Sequence, residues 1–351
     1  MAGALRKSAV LYHYPCPDGA FAALAAHLYF SAASLPVLFF PNTVYNPIRV
    51  DDLPLGEINE VYLLDFIGPS GFIAELYPKV ESVTILDHHK TAVEALCGNA
   101  SFGKNVIKVI DMDKSGATIA FDFFKERLIK RSDTLKGLGV HNHQEAGQKF
   151  LSGCKFERVQ KLFEYIEDAD IWRWKLPHSK AFSSGLKDMN IEYNVNVNSA
   201  LFDQLLALDP EDIIAIGQKT LSHKQELIDQ VLQQSYIIGI GEGLFGQCLA
   251  VNADSISDLR SELGNQLAVK SRDTGLRGIG AVVYKVPQLD DDHSLKISLR
   301  SVDAEDTTPI SKRYGGGGHQ KASSFMLKCA EFEEWKAQTN SSTAPSIGKQ
   351  S

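Results

Sequence analysis

Three apolar segments near the N-terminus each run straight into histidine or aspartate side chains. Each has the composition of a buried strand, and the residues that follow are His13 with Asp18 after residues 9–12, Asp65 after residues 61–64, and Asp87, His88 and His89 after residues 82–86. In open α/β sheets, ligands bind at the carboxyl ends of the strands. One such ending arises readily by chance, but three of them in one segment predict a shared binding site.

The same part of the chain alternates short apolar segments with helix-compatible segments. Apolar segments at residues 36–40 and 105–110 continue this alternation, and Ser115 is a suitable N-cap for the helix that follows. Alternation of this kind is typical of βαβ units around a parallel sheet. We therefore predict an α/β fold whose N-terminal domain is a parallel-sheet α/β domain.

The C-terminal part of the chain is rich in strand-like segments. Apolar runs at residues 236–240, 247–251, 278–284 and 295–299 follow a long helical segment. They predict a smaller mixed-sheet α/β domain, with an active-site cleft between the two domains. The predicted limits are 1–205 for the N-terminal domain, 206–235 for a helical connector, 236–330 for the C-terminal domain and 331–351 for a disordered tail.

Composition is typical of a water-soluble protein that acts on small ligands. The 351 residues carry a formal net charge of −7, which argues against a protein that coats long nucleic acid with a basic surface. The sequence has no apolar run of about 18 residues, so we predict no membrane span. The five cysteines are scattered and never form a CxxC pair, so we expect reduced thiols and a cytoplasmic location.

The clustered carboxylates and imidazoles are suitable ligands for a divalent metal ion. Mixed oxygen and nitrogen ligands suit Mn²⁺, and less exclusively Mg²⁺, Fe²⁺ or Zn²⁺. Asp168 and Asp170, near the end of a predicted helix, add a further acidic cluster. Two ions about 3.5–4 Å apart activate a water for phosphoester hydrolysis without a covalent nucleophile. Each residue alone is as readily a turn or capping residue, so the prediction rests on their joint occurrence.

Four consecutive glycines, Gly315 to Gly318, precede His319 and predict a second binding element. A glycine loop lets backbone N–H groups approach an anion closely. Arg313 and His319 flank the loop, and Arg300 ends the apolar segment 295–299; with the backbone N–H groups, the arginines are candidate ligands for a phosphate or sugar. A flexible linker is the alternative interpretation, but ordered sequence resumes directly after His319.

Together these motifs resemble the DHH-family phosphoesterases that carry a C-terminal DHH-associated domain. The resemblance covers residues 8–328, and the superfamily includes RecJ-type exonucleases, nanoRNases and cyclic-dinucleotide phosphodiesterases. The matching motifs are Asp87-His88-His89, which names the family, the lone aspartate Asp65, the fourth-motif aspartate Asp168, and the glycine-rich loop ending at His319 with the residues up to Phe325.

The resemblance implies a role for each matching residue. Five residues would be metal ligands, namely His13, Asp18, Asp65 as a bridge between two ions, His88 and Asp168. His89 would face the scissile phosphate, and Asp87 would orient the neighbouring histidines. Between the two neighbouring acids, Asp168 is preferred to Asp170. Four residues would hold the far end of the substrate across the cleft, namely Arg300, Gly316, Gly317 and His319.

Cys16 and two tryptophans leave alternatives open. Cys16 occupies a position in the first motif where the resemblance implies another oxygen ligand. A thiolate there would favour Zn²⁺ or Fe²⁺, whereas a small buried apolar residue is the favoured interpretation. The choice bears on whether one metal ion binds or two. Trp172 and Trp174 either stack a nucleobase or pack in the core, and core packing is the favoured prediction.

The resemblance implies an enzyme, a metal-dependent phosphoesterase or phosphodiesterase that hydrolyses short nucleotide substrates. Oligoribonucleotides, cyclic dinucleotides and bisphosphorylated nucleosides are the candidates, because the acidic net charge disfavours a processive exonuclease on long strands. The alternatives are a non-catalytic member that binds nucleotide or RNA and, less favoured, a pyrophosphatase or exopolyphosphatase. The oligomeric state is left open by the sequence.

Overall fold

The computed structural model describes residues 6–97, 102–137, 154–286 and 291–337. The chain divides into two compact units, Met1–Thr220 and Leu221–Ser351. The boundary falls inside the long helix Pro210–Gln233, in the region predicted to be a connector. The domain limits themselves stay a prediction.

A five-stranded parallel sheet forms the centre of the first unit. Its strands are β1 Lys7–His13, β2 Val37–Asn42, β3 Ile58–Leu64, β4 Ser82–Asp87 and β5 Val106–Ile110, in the order β2-β1-β3-β4-β5. The predicted parallel-sheet α/β domain is confirmed. Since the direction of strand addition reverses between β1 and β3, a crevice opens there at the carboxyl ends of the strands.

Helices cover both faces of this sheet. The helices of this part of the chain are α1 Pro17–Ala32, α2 Phe72–Leu76, α3 Lys90–Cys97, α4 Gly116–Gly137, α5 Cys154–Asp170, α6 Ser179–Asp188, α7 Leu201–Ala207 and α8 Pro210–Gln233, the last of which continues into the second unit. Successive side chains of a strand point to opposite faces, so Val10 and Tyr12 join the core under α1 and α4, and Ala9 and Leu11 join the opposite core.

The second unit contains a six-stranded mixed sheet. Its strands are β6 Tyr236–Gly239, β7 Gln247–Asn252, β8 Ile279–Tyr284, β9 Ser294–Ser301, β10 Gly317–His319 and β11 Ala322–Lys328, in the order β10-β11-β9-β8-β7-β6. Only the β7–β8 pair of this sheet is parallel. The predicted mixed-sheet domain is confirmed. Its helices are α9 Arg260–Asp273, α10 Thr308–Arg313 and α11 Cys329–Ala337.

The first residues of the predicted tail are helical, which corrects that prediction for residues 331–337. They belong to α11, where Phe332 and Trp335 lie three residues apart on one face and are 1% and 0% exposed. Trp335 packs against Tyr314 and Phe325, so the burial of two aromatic rings stabilises this turn of helix. Residues 338–351 lie outside the described residues.

In the part of the chain that the structure describes, no helix has the length and apolarity to cross a membrane.

Candidate metal centre

Histidine and aspartate side chains meet at the carboxyl ends of β1, β3 and β4. His13 is the last residue of β1, Asp65 directly follows β3, and His88 directly follows β4. Asp65 Oδ2 lies 3.1 Å from His13 Nδ1, and Asp65 Oδ1 lies 3.2 Å from His88 Nε2. The Asp65 carboxylate therefore stands between two imidazoles that come from different strands.

Asp65 holds this position with an uncommon backbone conformation. Its φ is +63°, in the left-handed region, where aspartate and asparagine are enriched among non-glycine residues. The backbone N–H of Asp65 still donates to the carbonyl oxygen of Leu86 in β4, at 2.9 Å. Conformations of this kind persist where the surrounding structure determines them, and they cluster at functional sites.

Asp18 enters the cluster from the first turn of α1. Its carboxylate accepts hydrogen bonds from the backbone N–H groups of Gly116 (2.7 Å) and Ala117 (2.9 Å), at the N-terminus of α4. The positive end of that helix favours a negative charge. Asp18 Oδ2 also lies 3.8 Å from His88 Nε2. The adjacent Gly19 allows α1 to start this close to β1, because a Cβ there would meet the His13 carbonyl oxygen at 2.1 Å.

The geometry reverses the preference between the two acids at the end of α5. Both carboxylate oxygens of Asp168 accept backbone hydrogen bonds, from Lys175 N (2.9 Å) and Leu176 N (3.1 Å). Asp168 thus closes the loop after α5. Asp170 instead places Oδ2 3.4 Å from His88 Nε2. The correction is that Asp170, and not Asp168, lies with the cluster.

Asp87 contacts both histidines that follow it. Its Oδ1 accepts from the backbone N–H groups of His88 (2.7 Å) and His89 (3.0 Å), and it lies 2.8 Å from His89 Nδ1. The side chain of His89 is 46% exposed, whereas that of His88 is 12% exposed. Asp87 is thus placed to fix the His89 ring, which leaves Nε2 of His89 free to contact a ligand.

Two buried carboxylate oxygens of the cluster lack a hydrogen-bond partner. They are Asp65 Oδ1 and Asp170 Oδ2, and neither finds one among the described residues. Buried polar atoms in native proteins are nearly always paired, and an ion is a usual explanation for those that are not. Three ligand sets have all their donor atoms within 4.8 Å of one another: His13, Cys16 and Asp65; Asp65, His88 and His89; Asp18, His88 and Asp170. The donors present therefore fit a divalent cation.

The pKa shifts follow from an excess of buried negative charge. Burial, together with the charges of Asp65 and Asp170, raises the pKa of Asp18 well above its usual value. Burial lowers the pKa of His88, but the close approach of the Asp65 carboxylate and the charges of Asp18 and Asp170 outweigh burial and raise the pKa to about 9. Burial and the charge of Asp65 raise the pKa of the Cys16 thiol to about 12. The metal-free centre is short of positive charge.

We expect the affinity for Mn²⁺ to rise with pH. His88 carries a proton at neutral pH in the metal-free protein, and an ion that binds Nε2 must displace it. Between pH 6.5 and about 9, the apparent association constant should increase about ten-fold per pH unit, and it should level off above the raised pKa. Titration calorimetry in two buffers of different ionisation enthalpy measures both the affinity and the proton released. An affinity independent of pH would exclude His88 as a ligand.

Gly116 is a site residue that the sequence did not single out. A Cβ at Gly116 would lie 2.7 Å from Asp65 Cβ and 2.8 Å from Asp18 Oδ2. Glycine therefore lets the N-terminus of α4 approach both carboxylates. The sequence feature that could have identified Gly116 is its position directly after Ser115, the predicted N-cap of this helix.

Gly116→Ala is expected to displace the two carboxylates and to lower Mn²⁺ affinity about ten- to a hundred-fold, the usual effect of disturbing residues behind metal ligands. Gly56→Ala is the matched control, since a Cβ at Gly56 would meet nothing within 4 Å. Equal Mn²⁺ affinities for the two variants would mean that the approach of the α4 N-terminus to Asp18 and Asp65 is not needed for metal binding.

Two cavities flank the cluster within the first unit. One of about 660 Å³ reaches Asp18 and Asp170, and one of about 270 Å³ reaches His13, Asp65 and His89. Trp172 and Trp174 line the larger cavity, and Trp172 is 78% exposed. The preference for core packing of Trp172 is therefore wrong, because its ring faces a cavity and solvent.

The glycine loop lies at an edge of the sheet in the second unit. His319 pairs with Ala322, which pairs with Arg300, so His319 and Arg300 flank Ala322 on one face of the sheet. Arg300 Nη2 donates to Ser261 Oγ at 3.0 Å. Arg313, the last residue of α10, is exposed.

The individual glycines of this loop differ in what they contact. A Cβ at Gly316 would meet the Ser324 carbonyl oxygen at 2.1 Å, so packing against β11 requires glycine there. A Cβ at Gly317 would meet nothing within 4 Å. Of the two glycines predicted to hold substrate, Gly317 is therefore the more accessible.

Comparison with known proteins gives distant relatives. No family model matches the chain. An uncharacterised mimivirus protein, R106, is 23% identical over 341 residues, which cover 93% of this chain and 69% of R106. Oligoribonuclease NrnB of Bacillus subtilis is 23% identical over 292 residues, which cover 82% of this chain and 61% of NrnB. The chain thus spans about three fifths of the length of NrnB.

Solved structures align over almost the whole chain but with low scores. The pGpG-specific phosphodiesterase of Vibrio cholerae aligns over 95% of this chain and 98% of its own length, at 11% identity and a TM-score of 0.39. The similarity to oligoribonuclease NrnB agrees with the DHH-family resemblance that the motifs predict.

Proposed function

We propose that this chain is a metal-dependent phosphoesterase that hydrolyses short nucleotide substrates. One observation carries the proposal, namely the two unpartnered buried carboxylate oxygens, Asp65 Oδ1 and Asp170 Oδ2, beside His88 Nε2. A buried carboxylate oxygen that accepts no hydrogen bond is costly unless it binds a cation. The end of β3 supplies Asp65 at the edge of the sheet where substrates bind, and the end of α5 supplies Asp170.

The ligand sets divide between two sides of Asp65. His13 faces Oδ2, with Cys16 beside it, and His88 faces Oδ1 with Asp18 and Asp170 beyond it. We therefore assign Asp65 as a ligand common to both sides. A divalent cation bound there would polarise the phosphoryl oxygens and lower the pKa of a bound water. Mn²⁺ is the proposed ion, because the set is mainly oxygen and imidazole nitrogen.

His89 is the proposed contact to the scissile phosphate. The Asp87 carboxylate accepts a hydrogen bond from Nδ1–H of His89. Nε2, on the other side of the ring, is then available to donate to a phosphate oxygen or to the leaving oxygen. The hydrogen bond to Asp87 raises the pKa of His89, which favours the protonated form that donates. Asp87 is thus a positioning residue and His89 the catalytic residue.

A short nucleotide is the proposed substrate class. NrnB is named an oligoribonuclease, and the formal net charge of −7 disfavours the binding of long strands. Arg300, Arg313, Gly317 and His319 are proposed to bind an anionic part of the substrate in the second unit. The described cysteines Cys16, Cys248 and Cys329 are free thiols, and a cytoplasmic location remains part of the proposal.

Hydrolysis of a small substrate panel tests the proposal. The panel holds a dinucleotide, a pentanucleotide, a cyclic dinucleotide, 3′-phosphoadenosine 5′-phosphate and pyrophosphate, each with Mn²⁺ and after chelation. We expect turnover of at least one nucleotide, lost on chelation and in His88→Ala. His223→Ala is the matched control, because His223 is 70% exposed on α8 and belongs to none of the ligand sets.

The other outcomes distinguish the alternatives. Nucleotide binding without turnover would favour the non-catalytic interpretation. The structural argument for it is that both carboxylate oxygens of Asp18 already accept backbone hydrogen bonds, from Gly116 and Ala117. Turnover of pyrophosphate alone would favour the inorganic substrate. Turnover that survives in His88→Ala would refute the proposed centre.

A further inference from the structure

The larger of the two cavities is bounded by aromatic and proline side chains. We call it the aromatic pocket; its lining residues include Trp172, Trp174, Tyr193, Pro15, Asp18 and Asp170. Its volume of about 660 Å³ falls within the range of small-molecule sites, roughly 300–1,000 Å³. Two of its residues, Asp18 and Asp170, also belong to the candidate metal centre. The pocket and the centre are therefore adjacent.

The tryptophans are held in this pocket by an unusual loop. Trp172 and Trp174 have φ values of +57° and +53°, in the left-handed region that bulky residues rarely adopt. The carbonyl oxygen of Asp168 accepts from Arg173 N and Trp174 N, and its carboxylate accepts from the next two backbone N–H groups. This buried aspartate thus determines the loop conformation, and the loop exposes an indole that core packing would have buried.

The two indoles leave an aromatic face open. Their ring centroids are 5.6 Å apart and their planes stand at 88°, so the two rings meet edge to face and are not stacked face to face. Trp172 is 78% exposed, although a side chain of this size usually buries most of its surface. An open indole face is the preferred platform for a flat ring.

Polar groups also line the pocket. Ser183 and Lys187 come from α6, and Asn190 follows that helix. Lys187 makes no ion pair within the described ranges. A flat aromatic ring with hydrogen-bonding groups on its edge matches this arrangement, with its face on the indole and its edge toward these side chains. An aliphatic group would match the indole but not the polar groups.

We propose that the aromatic pocket binds the base of the nucleotide whose phosphate lies at the metal centre, with the base stacked on Trp172. This inference rests on the proposed function for the position of the phosphate. Asp18 and Asp170 line both sites, so a single nucleotide reaches from one to the other. The pocket then selects nucleotides over other phosphoesters.

Binding measurements on the full chain test the pocket separately from hydrolysis. Adenosine is titrated against the protein in chelator, and AMP and ribose 5-phosphate are titrated with Mn²⁺ present. Trp172→Ala should weaken adenosine and AMP about ten-fold, the usual effect of removing one stacking side chain. It should leave ribose 5-phosphate unchanged. Trp172→Phe should restore most of the affinity, because it restores an aromatic face.

Tyr45→Ala is the matched control, since Tyr45 is a 96% exposed aromatic residue that does not line the pocket. Quenching of tryptophan fluorescence by adenosine, smaller in Trp172→Phe than in wild type, is a second readout, because Trp335 is fully buried and Trp172 and Trp174 line the pocket. Equal AMP affinity in wild type and Trp172→Ala, or no adenosine binding at all, would overturn the pocket. Hydrolysis could still be intact in that case. Base-dependent binding without any hydrolysis would support the pocket and refute the phosphoesterase.

Discussion

Asp65→Asn is expected to lower metal-dependent phosphoester hydrolysis by about a thousand-fold while the protein stays folded. Asp65 is the carboxylate that lies between His13 and His88, so its charge serves both sides of the proposed centre. Loss of several kcal/mol of charge stabilisation corresponds to a rate effect of about this size. Asparagine has nearly the same shape as aspartate and also tolerates a φ of +63°. The backbone of the variant is therefore unstrained relative to wild type.

The experiment compares kcat and Mn²⁺ affinity with the midpoint of thermal unfolding in chelator. Glu60→Gln is the matched control on the other end of β3, where Glu60 pairs with Arg127 at 3.2 Å. That variant should lose an ion pair and keep its hydrolysis. If Asp65→Asn kept wild-type kcat with an unchanged midpoint, Asp65 would not belong to the centre.

The two aspartates at the end of α5 are expected to show opposite defects. Asp170→Asn should weaken Mn²⁺ binding at least about a hundred-fold, more than is typical for residues behind the ligands. It should leave the unfolding free energy of the metal-free protein unchanged or higher, because it removes a buried, unpartnered carboxylate oxygen. Asp168→Ala should lower that free energy by about 2–3 kcal/mol, because Lys175 N and Leu176 N lose their acceptor.

Urea unfolding of the metal-free variants and Mn²⁺ titration of the same preparations measure both effects. Asp168→Ala should still bind Mn²⁺ at temperatures where it is folded. The opposite pattern, with metal binding lost in Asp168→Ala and kept in Asp170→Asn, would restore the preference drawn from the sequence and contradict the geometry.

The position of the centre was predictable from sequence because a parallel sheet aligns the carboxyl ends of its strands. His13, Asp65 and His88 each follow an apolar strand, and adjacency of β1, β3 and β4 brings each histidine to 3.1–3.2 Å from the Asp65 carboxylate. The two sheet domains follow from the same apolar segments. Hydrophobic periodicity was sufficient for this part of the prediction.

The choice between Asp168 and Asp170 was not predictable in this way. Both acids stand in the last turn of α5, where the helical repeat continues for only a few residues. The conformation of the following loop determines which carboxylate accepts hydrogen bonds from backbone N–H groups. That loop contains two tryptophans with left-handed φ. Left-handed conformations of bulky residues carry no sequence signal.

The sequence by itself determined which strands end in ligands and hence the edge of the sheet where they meet. Only the tertiary structure decided which carboxylates converge on His88, that Gly116 admits the N-terminus of α4 to them, and that Trp172 faces a cavity. The physical reason is the range of the interactions. Strand burial is local and periodic, whereas the convergence depends on loop backbone angles and on the approach of helices that are distant in the chain.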